Sequence, residues 1–479
     1  MEKGFLPKIG LEIHVQLKTK TKMFCSCKND PEEKVPNLNV CPICLGHPGT
    51  LPTINEEAVK KVIKVGLALN CQIAEISKFD RKNYFYPDLP KGYQISQYDF
   101  PLCKEGFLEI EGKKIRIRRI HLEEDTGKLL HEKDASLVDF NRAGIPLMEL
   151  VTEPDINSPK EAKKFAKELY LILRYLDVSE ANMEKGQMRV EANVSLPGGS
   201  KVEIKNLNSF RALEQAIEFE VKRQKQILEK GGKVIQETRG WDDLKKITFS
   251  QREKEEAEDY RYFPEPDLFA FKIPKTWIKK IKSEIGELPA QKRERFEKEY
   301  FLDKKLVEFF VFNPKMGNYF ENVVSELKEW LEAENKQEKF LEGIRLCANY
   351  LVSDLQGLMK EKKLQEIPIL PENFAELICL RLKNEISSKL AKEILAEMFF
   401  TQKDPSQIIE EKGLRVERRE QEVEKIIKEV IEENEKAVED FKNGKEGALN
   451  FLVGKAMQKS KGKIDPQLAT EFFKKFLLK

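Results

Sequence analysis

The stretch Gly10-Leu11-Glu12-Ile13-His14-Val15-Gln16-Leu17 alternates apolar and polar residues without interruption. Successive side chains of a β-strand point to opposite faces of its sheet, so the apolar residues share one face and the polar residues share the other. Antiparallel sheets with one face on a core and one face open show this pattern. The stretch therefore predicts a half-buried antiparallel strand whose open face carries Glu12, His14 and Gln16.

Three later segments show the same alternation. Their polar positions are Arg119, His121, Glu123 and Asp125, then Arg189, Glu191 and Asn193, then Lys201, Glu203 and Lys205. A solvated face is the alternative for any single strand, but solubility does not require so many carboxylates or two of the four histidines. Carboxylates and an imidazole on one surface are typical of a site for a hard divalent cation whose shell is completed by nucleotide phosphates. Lys205, Arg189 and the segment 79–91 would supply compensating positive charge.

Residues 79–97 read Phe-Asp-Arg-Lys-Asn-Tyr-Phe-Tyr-Pro-Asp-Leu-Pro-Lys-Gly-Tyr-Gln-Ile-Ser-Gln, with neither helical nor strand alternation. Bases of an unpaired nucleic-acid end stack on aromatic rings while cations meet phosphate. This aromatic segment is therefore typical of a contact with a single-stranded nucleic-acid end. The alternative is a proline-rich surface loop whose tyrosines cover neighbouring apolar surface.

Length and charge set the limits of the interpretation. A chain of 479 residues is too long for one core and predicts two to four domains. Its 84 Lys plus Arg and 82 Asp plus Glu leave a formal charge of +2, so an anionic partner must meet a local basic patch. No apolar run approaches the ~20 residues that span a bilayer, and the N-terminus does not resemble a signal peptide. We therefore expect a cytoplasmic protein with no membrane contact.

Four of the eight cysteines fall in one window, as Cys25-x-Cys27 and, thirteen residues later, Cys41-Pro-Ile-Cys44. Paired cysteines at this spacing in a reducing compartment indicate a tetrahedral thiolate zinc site rather than disulfides. We expect structural Zn²⁺ bound by Cys25, Cys27, Cys41 and Cys44 in a knuckle-like insertion at about 25–44, with unmetallated thiols as the alternative. Four thiolates close the metal shell, so this zinc would not catalyse.

The chain divides into three parts. Residues 1–293 combine short strand-like segments with a few helices, which predicts an α+β domain with a mainly antiparallel sheet. Residues 294–400 are helical, and residues 401–479 form a further helical unit. Single helices are predicted over 158–177, 209–230 and 418–441. The chain has no Gly-x-x-x-x-Gly-Lys-Ser/Thr loop, so ATP would need a non-standard platform.

Five ordered motifs resemble one known family. They are residues 10–17, the aromatic segment, His121-Leu122-Glu123-Glu124-Asp125-Thr126-Gly127-Lys128, Val138-Asp139-Phe140-Asn141-Arg142-Ala143-Gly144-Ile145-Pro146-Leu147-Met148-Glu149, and Asp259-Tyr260-Arg261-Tyr262-Phe263-Pro264-Glu265-Pro266-Asp267. Together they closely resemble the B subunit of the bacterial aspartyl/glutamyl-tRNA amidotransferase. The similarity extends through Phe451-Leu452-Val453-Gly454 near the C-terminus.

The resemblance implies a catalytic (cradle) domain, a helical domain and a tRNA-binding tail domain. It also implies an activity in two steps. The family's B subunit activates the side-chain carboxylate of glutamate or aspartate, misattached to glutamine or asparagine tRNA, as an acyl phosphate made from ATP, and ammonia then displaces the phosphate. Both transfers need Mg²⁺. The sequence does not tell Glu-tRNA(Gln) from Asp-tRNA(Asn) as substrate.

The family's motifs also imply roles for single residues. The active-site set is Glu12, His14, Glu123, Glu124 and Glu149, with Glu12, His14, Glu124 and Glu149 as Mg²⁺ ligands. Candidates for nucleotide contacts are Glu191, Asn193, Lys205 and Asn206, and candidates for the aminoacylated 3′ end are Lys82, Asn83, Tyr84, Tyr86 and Tyr93. Glu123 and Glu124 point to opposite faces of a regular strand, so either one serves elsewhere or a bulge admits both.

Other motif residues have structural alternatives. In the alternative interpretation, His121 and Asp125 only orient the residues that bind the metal. Residues 139–142 would form a turn, and residues 259–267 would pack domain against domain.

The chain has neither a Ser-rich amidase signature nor a Cys and His pairing typical of a glutaminase. In the family a separate A subunit hydrolyses glutamine and a small C subunit wraps the pair, so the resemblance implies both as partners, with misacylated tRNA. After residue 450 seven lysines and two acids predict tRNA contact, with a solvated helix as the alternative. The competing hypotheses are a non-catalytic tRNA-binding adaptor with a structural metal, and an ATP-dependent ligase with another carboxylate substrate.

Overall fold

The alternating stretch at the N-terminus forms β1 (Lys8–Gln16), the central strand of a nine-stranded sheet. The structure is a computed structural model that describes residues 6–253, 260–364, 366–413, 420–460, 464 and 466–477. The chain divides into two compact units, Met1–Pro289 and Ala290–Lys479. The first unit is α+β and the second is helical, which confirms the predicted fold class.

The large sheet is antiparallel at every pairing except one. From edge to edge its strands are β14 (Ile247–Glu253), β13 (Glu237–Asp242), β12 (Val202–Leu207), β11 (Met188–Ser195), β1, β10 (Pro146–Thr152), β7 (Lys113–Glu124), β6 (Cys103–Ile110) and β2 (Gln72–Ile73). Strands β12 and β13 are parallel. The chain between them contains α3 (Phe210–Glu229), a crossover of the kind that parallel strands require.

Three small sheets complete the first unit. They are β15 (Phe263–Pro264) with β4 (Asp80–Asn83) and β5 (Tyr93–Ser96), β16 (Phe271–Lys272) with β3 (Ile76–Ser77), and β8 (Lys128–His131) with β9 (Ser136–Asp139). The first of these joins the aromatic segment to the motif that follows residue 259, because Phe263 pairs with Arg81. Two motifs that are distant in the sequence therefore form one surface.

Helices cover the apolar face of the large sheet. They are α1 (Glu56–Ala68), α2 (Pro159–Tyr175) and α3, and α4 (Lys275–Ser283) packs on α1. Helix α1 packs on β6 and β7, and α3 packs on β11 and β12. The side chains of Ile13 and Val15 are fully buried in this core. The helices predicted over 158–177 and 209–230 are present, and serine side chains cap both, since Ser158 accepts a hydrogen bond at the start of α2 and Ser209 at the start of α3.

The second unit consists of helices. They are α5 (Pro289–Tyr300), α6 (Lys304–Phe312), α7 (Pro314–Ala333), α8 (Phe340–Tyr350), α9 (Gln356–Lys362), α10 (Pro371–Leu382), α11 (Ser388–Thr401), α12 (Pro405–Lys412), α13 (Glu420–Glu433), α14 (Glu435–Lys442), α15 (Glu446–Lys459) and α16 (Pro466–Leu477). Helix α12 packs on α10 and α11, and α13 to α16 share a core of their own. The boundary near residue 400 stays a prediction.

One predicted helix is interrupted. Residues 418–441 were expected to form a single helix, but within the described residues α13 ends at Glu433 and α14 begins at Glu435. Asn434 between them has a non-helical backbone, and its side chain donates to the carbonyl of Val430. An Asn side chain competes with the helical backbone for such bonds, which explains the break. Arg418 lies outside the described residues. No helix in the described parts of the chain is both long and apolar enough to cross a bilayer.

Candidate functional site

The register of three central strands places the predicted acidic and imidazole residues in one row. Glu149 on β10 pairs with His14 on β1 and, on its other side, with His121 on β7. His14 Nε2 lies 3.3 Å from Glu149 Oε2, and His121 Nε2 lies 3.5 Å from the same oxygen. Glu149 is therefore held between two imidazoles on the face of the sheet opposite the helices.

Two further carboxylates extend this polar row, which we define as Glu12, His14, His121, Glu123 and Glu149. Glu123 Oε1 lies 3.6 Å from His14 Nε2, and Glu12 Oε1 lies 3.9 Å from it. Ser96 donates to the second oxygen of Glu123 at 3.2 Å. The row is largely buried, since the side chains of Glu123 and His121 are only 2% exposed.

The donor atoms of the row fit a hard divalent cation. Three overlapping groups each place one donor atom per residue within 4.8 Å of the others: Glu12, His14 and Glu149; His121, Glu123 and Glu149; and Glu12, Glu191 and Glu203. Carboxylate oxygens with one imidazole nitrogen suit Mg²⁺ or Mn²⁺, with open positions for other oxygens. Glu12 and Glu149 each belong to two groups, so the three form one continuous acidic surface.

Burial and neighbouring charges shift the pKa values of Glu12 and Glu149 in opposite directions. Burial, together with the charge of Glu149, raises the pKa of Glu12 to about 7. Burial would raise the pKa of Glu149 as well, but His121 and His14 outweigh it and hold that pKa well below the usual range. Repulsion of this kind is relieved when a cation binds between the carboxylates.

The pKa values of the two histidines of the row shift in opposite directions. Burial lowers the pKa of both, but the hydrogen bond to Glu149 and the nearby carboxylates raise that of His14 to about 9. For His121 burial prevails, and its pKa falls to about 4. Its Nδ1 is buried and has no hydrogen-bond partner within the described structure. Burial thus prevails at His121, whereas the surrounding carboxylates prevail at His14.

The structure does not bring Glu124 into this row. Glu124 lies on the other face of β7, where its Oε1 accepts from Lys91 Nζ and from Ile95 N. Of the two alternatives raised for adjacent Glu123 and Glu124, the geometry therefore corresponds to one carboxylate serving elsewhere. Asp125 also lies apart from the row, since its Oδ2 accepts from Gln16 and Arg189.

The four candidate nucleotide residues lie beside the row on β11 and β12. Glu191 pairs with Glu12 across the strands, and Lys205 Nζ lies 2.9 Å from Glu191 Oε2. Asn193 pairs with Glu203. Its buried Oδ1 has no hydrogen-bond partner among the described residues. Asn206 differs from the other three, because it is exposed and takes a left-handed φ of 66° where the β11–β12 register shifts.

The aromatic segment brings Lys82 to the row. The Lys82 ammonium lies 4.9 Å from the centre of the Tyr260 ring and 5.8 Å from that of Tyr84. Burial alone would lower its pKa, but the charges of Glu123 and Glu149 raise it. Lys82 is therefore a partly buried cation beside two aromatic rings, close enough to the carboxylates of the row to be influenced by their charge.

The other candidates for the 3′ end are spread along the segment. Asn83 Nδ2 donates to the carbonyl of Arg261 at 2.8 Å. The Tyr93 ring lies under the Arg81 guanidinium at 4.2 Å. Tyr86 is 59% exposed, next to an even more exposed Phe85. Tyr84 and Tyr93 are thus packed into the structure, whereas Tyr86 points to open surface.

Two tyrosines at this site were not among the predicted residues. They belong to residues 260–267, which we call the strap. Tyr260 contacts Tyr84 edge-on, and Tyr262 stacks on Tyr98 at 4.4 Å between ring centres. Burial raises the pKa of Tyr262 to about 12. The sequence motif at residues 259–267 was the signal that could have found these tyrosines. The alternative interpretation of that motif was packing between domains. Asp259 lies outside the described residues.

A bidentate ion pair fastens the strap to the aromatic segment. Arg81 Nε and Nη2 donate to the two carboxylate oxygens of Glu265 at 2.7 and 2.9 Å. The Glu265 side chain is fully buried. Its backbone N–H donates to the carbonyl of Phe79. The strap therefore packs within the first unit, against residues 79–98.

The four predicted zinc ligands converge in space. The sulfurs of Cys25, Cys27, Cys41 and Cys44 all lie within 4.8 Å of one another, which fits a tetrahedral thiolate site. A hydrogen bond from Cys25 lowers the pKa of Cys44 to about 5. The hydrogen bond to Cys44 and burial raise the pKa of Cys25, so the pKa values of these two thiols shift in opposite directions.

Residues 139–144 hold the loop that carries these cysteines. Asp139 accepts from the backbone N–H of Asn37 at 3.0 Å, and Asn141 accepts from that of Asn39 at 2.8 Å. Asn141 also donates to the carbonyl of Val35. Arg142 donates to the carbonyls of residues 126 and 127. This motif therefore anchors the knuckle-like insertion and residues 126–127.

Comparisons with known proteins agree with the motifs. A family model described as "GatB/GatE catalytic domain" matches residues 7–279, and one described as "GatB domain" matches residues 332–477. The B subunits of several aspartyl/glutamyl-tRNA(Asn/Gln) amidotransferases are similar over almost the whole chain. That of Thermoanaerobacter pseudethanolicus is 48% identical, over 98% of this chain and 99% of its own. That of Thermotoga maritima is 47% identical, over 99% of each chain. The chain thus belongs to the family of B subunits of aspartyl/glutamyl-tRNA(Asn/Gln) amidotransferases.

Proposed function

We propose that the polar row activates the side-chain carboxylate of Glu-tRNA(Gln), Asp-tRNA(Asn) or both with ATP, and then amidates it with ammonia. The observation that carries this proposal is the position of Glu149 between His14 and His121 on three adjacent strands. A row of buried carboxylates is costly to fold unless cations compensate it. Such a site is suited to reactions in which negative charge accumulates on phosphoryl and acyl oxygens.

The reaction balances in two transfers. In the first, a carboxylate oxygen of the aminoacyl group attacks the γ-phosphorus of ATP, and ADP leaves. In the second, the nitrogen of ammonia attacks the acyl carbon, phosphate leaves, and the nitrogen loses one proton. The first step brings two anions together and the second releases an anionic phosphate, so positioning and charge compensation dominate the catalysis.

Glu12, His14 and Glu149 would hold Mg²⁺, with Glu123 beside them. When bound, Mg²⁺ offsets phosphate charge and aligns the attacking oxygen with the phosphorus. His14 must lose its proton to become a ligand, because only a neutral imidazole nitrogen binds a metal. His121 keeps Glu149 oriented from the other side. Lys82 and Arg119 add positive charge next to Glu149.

The aminoacyl end would enter between the strap and the open face of the sheet. Tyr84, Tyr260 and Tyr262 offer rings for the terminal base. Asn83 and Tyr93 hold the segment in place, and Tyr86 is exposed for contact with the incoming strand. Glu191, Asn193 and Lys205 lie next to the row on the side where the nucleotide would bind, and Asn206 is exposed at the end of this set.

The ammonia would come from partners. The similar proteins are each one subunit of an amidotransferase, which supports a larger enzyme here too. A glutaminase A subunit and a small C subunit supply and deliver ammonia in this proposal. The proposal also includes a cytoplasmic location, structural Zn²⁺ at the four cysteines and tRNA binding by the C-terminal helices. We also propose that residues 1–293, 294–400 and 401–479 act as catalytic, helical and tail domains.

The test is a reaction with misacylated tRNA, ATP, Mg²⁺ and free ammonium, using protein assembled with its family partners. Free ammonium separates the chemistry of this chain from glutamine hydrolysis. The variants are His14→Ala and Glu149→Gln. The matched control is His131→Ala, which removes an exposed histidine on β8 whose ring forms a hydrogen bond with Ser136. We expect both row variants to lose ADP formation and amidation by about 10²-fold or more while tRNA binding and the control remain unchanged.

The outcomes separate the hypotheses. If neither wild type nor variants turn over ATP although tRNA binds, the chain is an adaptor with a structural metal. If wild type forms ADP without amidated tRNA, the carboxylate substrate is a different one. If the row variants keep full activity, the reacting groups lie elsewhere.

A further inference from the structure

Lys22 is a fully buried lysine between β1 and the knuckle loop, which we define as residues 25–44. Its side chain is among the largest completely buried side chains of the described structure. An ammonium group taken out of water needs an anion beside it, because an isolated buried charge costs far more than folding can offset. Lys22 therefore requires a neighbouring anion, which the structure should identify.

No carboxylate in the described part of the chain forms an ion pair with Lys22. Its Nζ lies 3.8 Å from Cys44 Sγ and 3.3 Å from the carbonyl oxygen of Phe140. A carbonyl dipole does not neutralise an ammonium. The sulfur cluster is thus the only group in contact with Lys22, among the described residues, that can carry a full negative charge.

The charge of a zinc site with four thiolates matches this requirement. Four thiolates and one Zn²⁺ carry a net charge of about −2. Such a charge is unfavourable in a buried place unless donors or cations surround it. Lys22 removes half of it, and the backbone N–H of Cys41 donates to Cys44 Sγ at 3.1 Å. A neutral set of four thiols would leave the lysine without compensation.

We infer that Lys22 is the fixed counter-charge of the four-cysteine centre and stabilises its metal-bound, thiolate form. Lys22 also links the centre to residues 139–144. Phe140 accepts from its ammonium, and Gly144 accepts from the backbone N–H of Met23 at 2.7 Å. Gly144 has a φ of +84°, and a side chain there would meet both Cys44 and Lys22 at 3.5 Å. Occupancy of the centre and the position of this loop are therefore connected through one side chain.

The experiment measures zinc affinity, so it does not depend on the proposed catalytic activity. Zinc is titrated from the purified protein with a chromophoric chelator, for wild type, Lys22→Met and Lys22→Arg. The matched control is Lys28→Met, which removes an exposed lysine of the same loop that pairs with Asp30. We expect Lys22→Met to weaken zinc binding by about 10- to 100-fold, as loss of a group that supports metal ligands does. The control should stay within twofold of wild type, and Lys22→Arg should lie between.

A second arm covers the case in which Lys22→Met does not fold. All four cysteines are replaced by serine, with and without Lys22→Met. Without thiolates the lysine is an unpaired buried charge, so its removal should raise Tm in this background, whereas it lowers Tm in the zinc-bound protein. An unchanged zinc affinity in Lys22→Met, or a lower Tm in both backgrounds, would overturn the inference.

Discussion

Glu124 was predicted as a metal ligand, yet it is the one member of the predicted set that the structure directs away from the row. Its neighbour Glu123 reaches His14, whereas Glu124 binds Lys91 and the backbone of Ile95. The alternation of a strand explains this difference, because adjacent side chains point to opposite faces. The sequence motif predicts which residue types belong to a site. The alternation of side chains along the strand decides which of two adjacent acids faces that site.

Single substitutions at Glu12 and Glu124 should separate metal binding from support of the fold. Glu12→Gln removes a donor of the row, and we expect the Mg²⁺ concentration for half-maximal ATP turnover to rise by about 10-fold or more. Glu124→Gln leaves Lys91 without its partner in a site where both side chains are less than 10% exposed. Breaking such a pair costs about 3–5 kcal/mol, so Tm should fall while the Mg²⁺ requirement of the remaining activity stays the same.

Titration of turnover with Mg²⁺ and thermal denaturation check these two expectations on the same preparations. If Glu124→Gln shifts the Mg²⁺ requirement as far as Glu12→Gln does, then Glu124 turns toward the metal in the working enzyme, and the pairing with Lys91 is a resting arrangement.

At the scale of elements, a bidentate ion pair joins the strap to the aromatic segment. Arg81 and Glu265 form two short hydrogen bonds, with Glu265 fully buried. Arg118 and Glu153 form the same bidentate pair, but on the surface, where Arg118 is 60% exposed. The two pairs share their geometry and differ in burial, which makes the second a matched control for the first.

We expect Glu265→Gln to destabilise the first unit by up to about 3–5 kcal/mol, because it leaves Arg81 partly buried with only a longer contact to Asp267, 3.6 Å from its Nη2. Glu153→Gln should cost less than about 1 kcal/mol, as exposed pairs do. Denaturant unfolding gives both values. Hydrogen exchange gives the local effect, since the Glu265 amide bonded to Phe79 should lose protection only in the first variant. Equal costs for the two variants would mean that the strap is held by its aromatic contacts instead.

Elements differ in how far the sequence predicts them. Alternation predicted β1, and helix start and stop signals predicted α2 and α3, because these signals are local. The sequence predicted that these polar residues share one face of a sheet, but it did not predict which of them are neighbours. The pairing of His14 with Glu149 depends on the register between strands that are 135 positions apart. Tyr260 and Tyr262 escaped prediction for the same reason: the pairing of Phe263 with Arg81 joins segments far apart in sequence.

At the scale of the whole molecule, charge is distributed rather than concentrated. The formal net charge is only +2, so the tRNA binding that we propose for the second unit would rest on lysines that have no acidic partner. Lys459 on α15 does not meet that condition, because it pairs with Glu429 and Glu433 at 2.9 and 2.6 Å. Lys474 on α16 is exposed and has no ion pair among the described residues.

These two lysines allow the tRNA-binding prediction to be tested. We expect Lys474→Gln to weaken tRNA binding and to reduce the slope of log K against log salt concentration by roughly 1, as loss of one phosphate contact does. Lys459→Gln should leave the slope unchanged, because its charge is already engaged by two glutamates. ATP turnover at saturating tRNA should equal that of wild type in both variants, since the polar row belongs to the first unit. Fluorescence titrations at several salt concentrations measure the slopes. If neither variant changes them, α16 is an ordinary solvated helix and the tRNA backbone is bound by other residues.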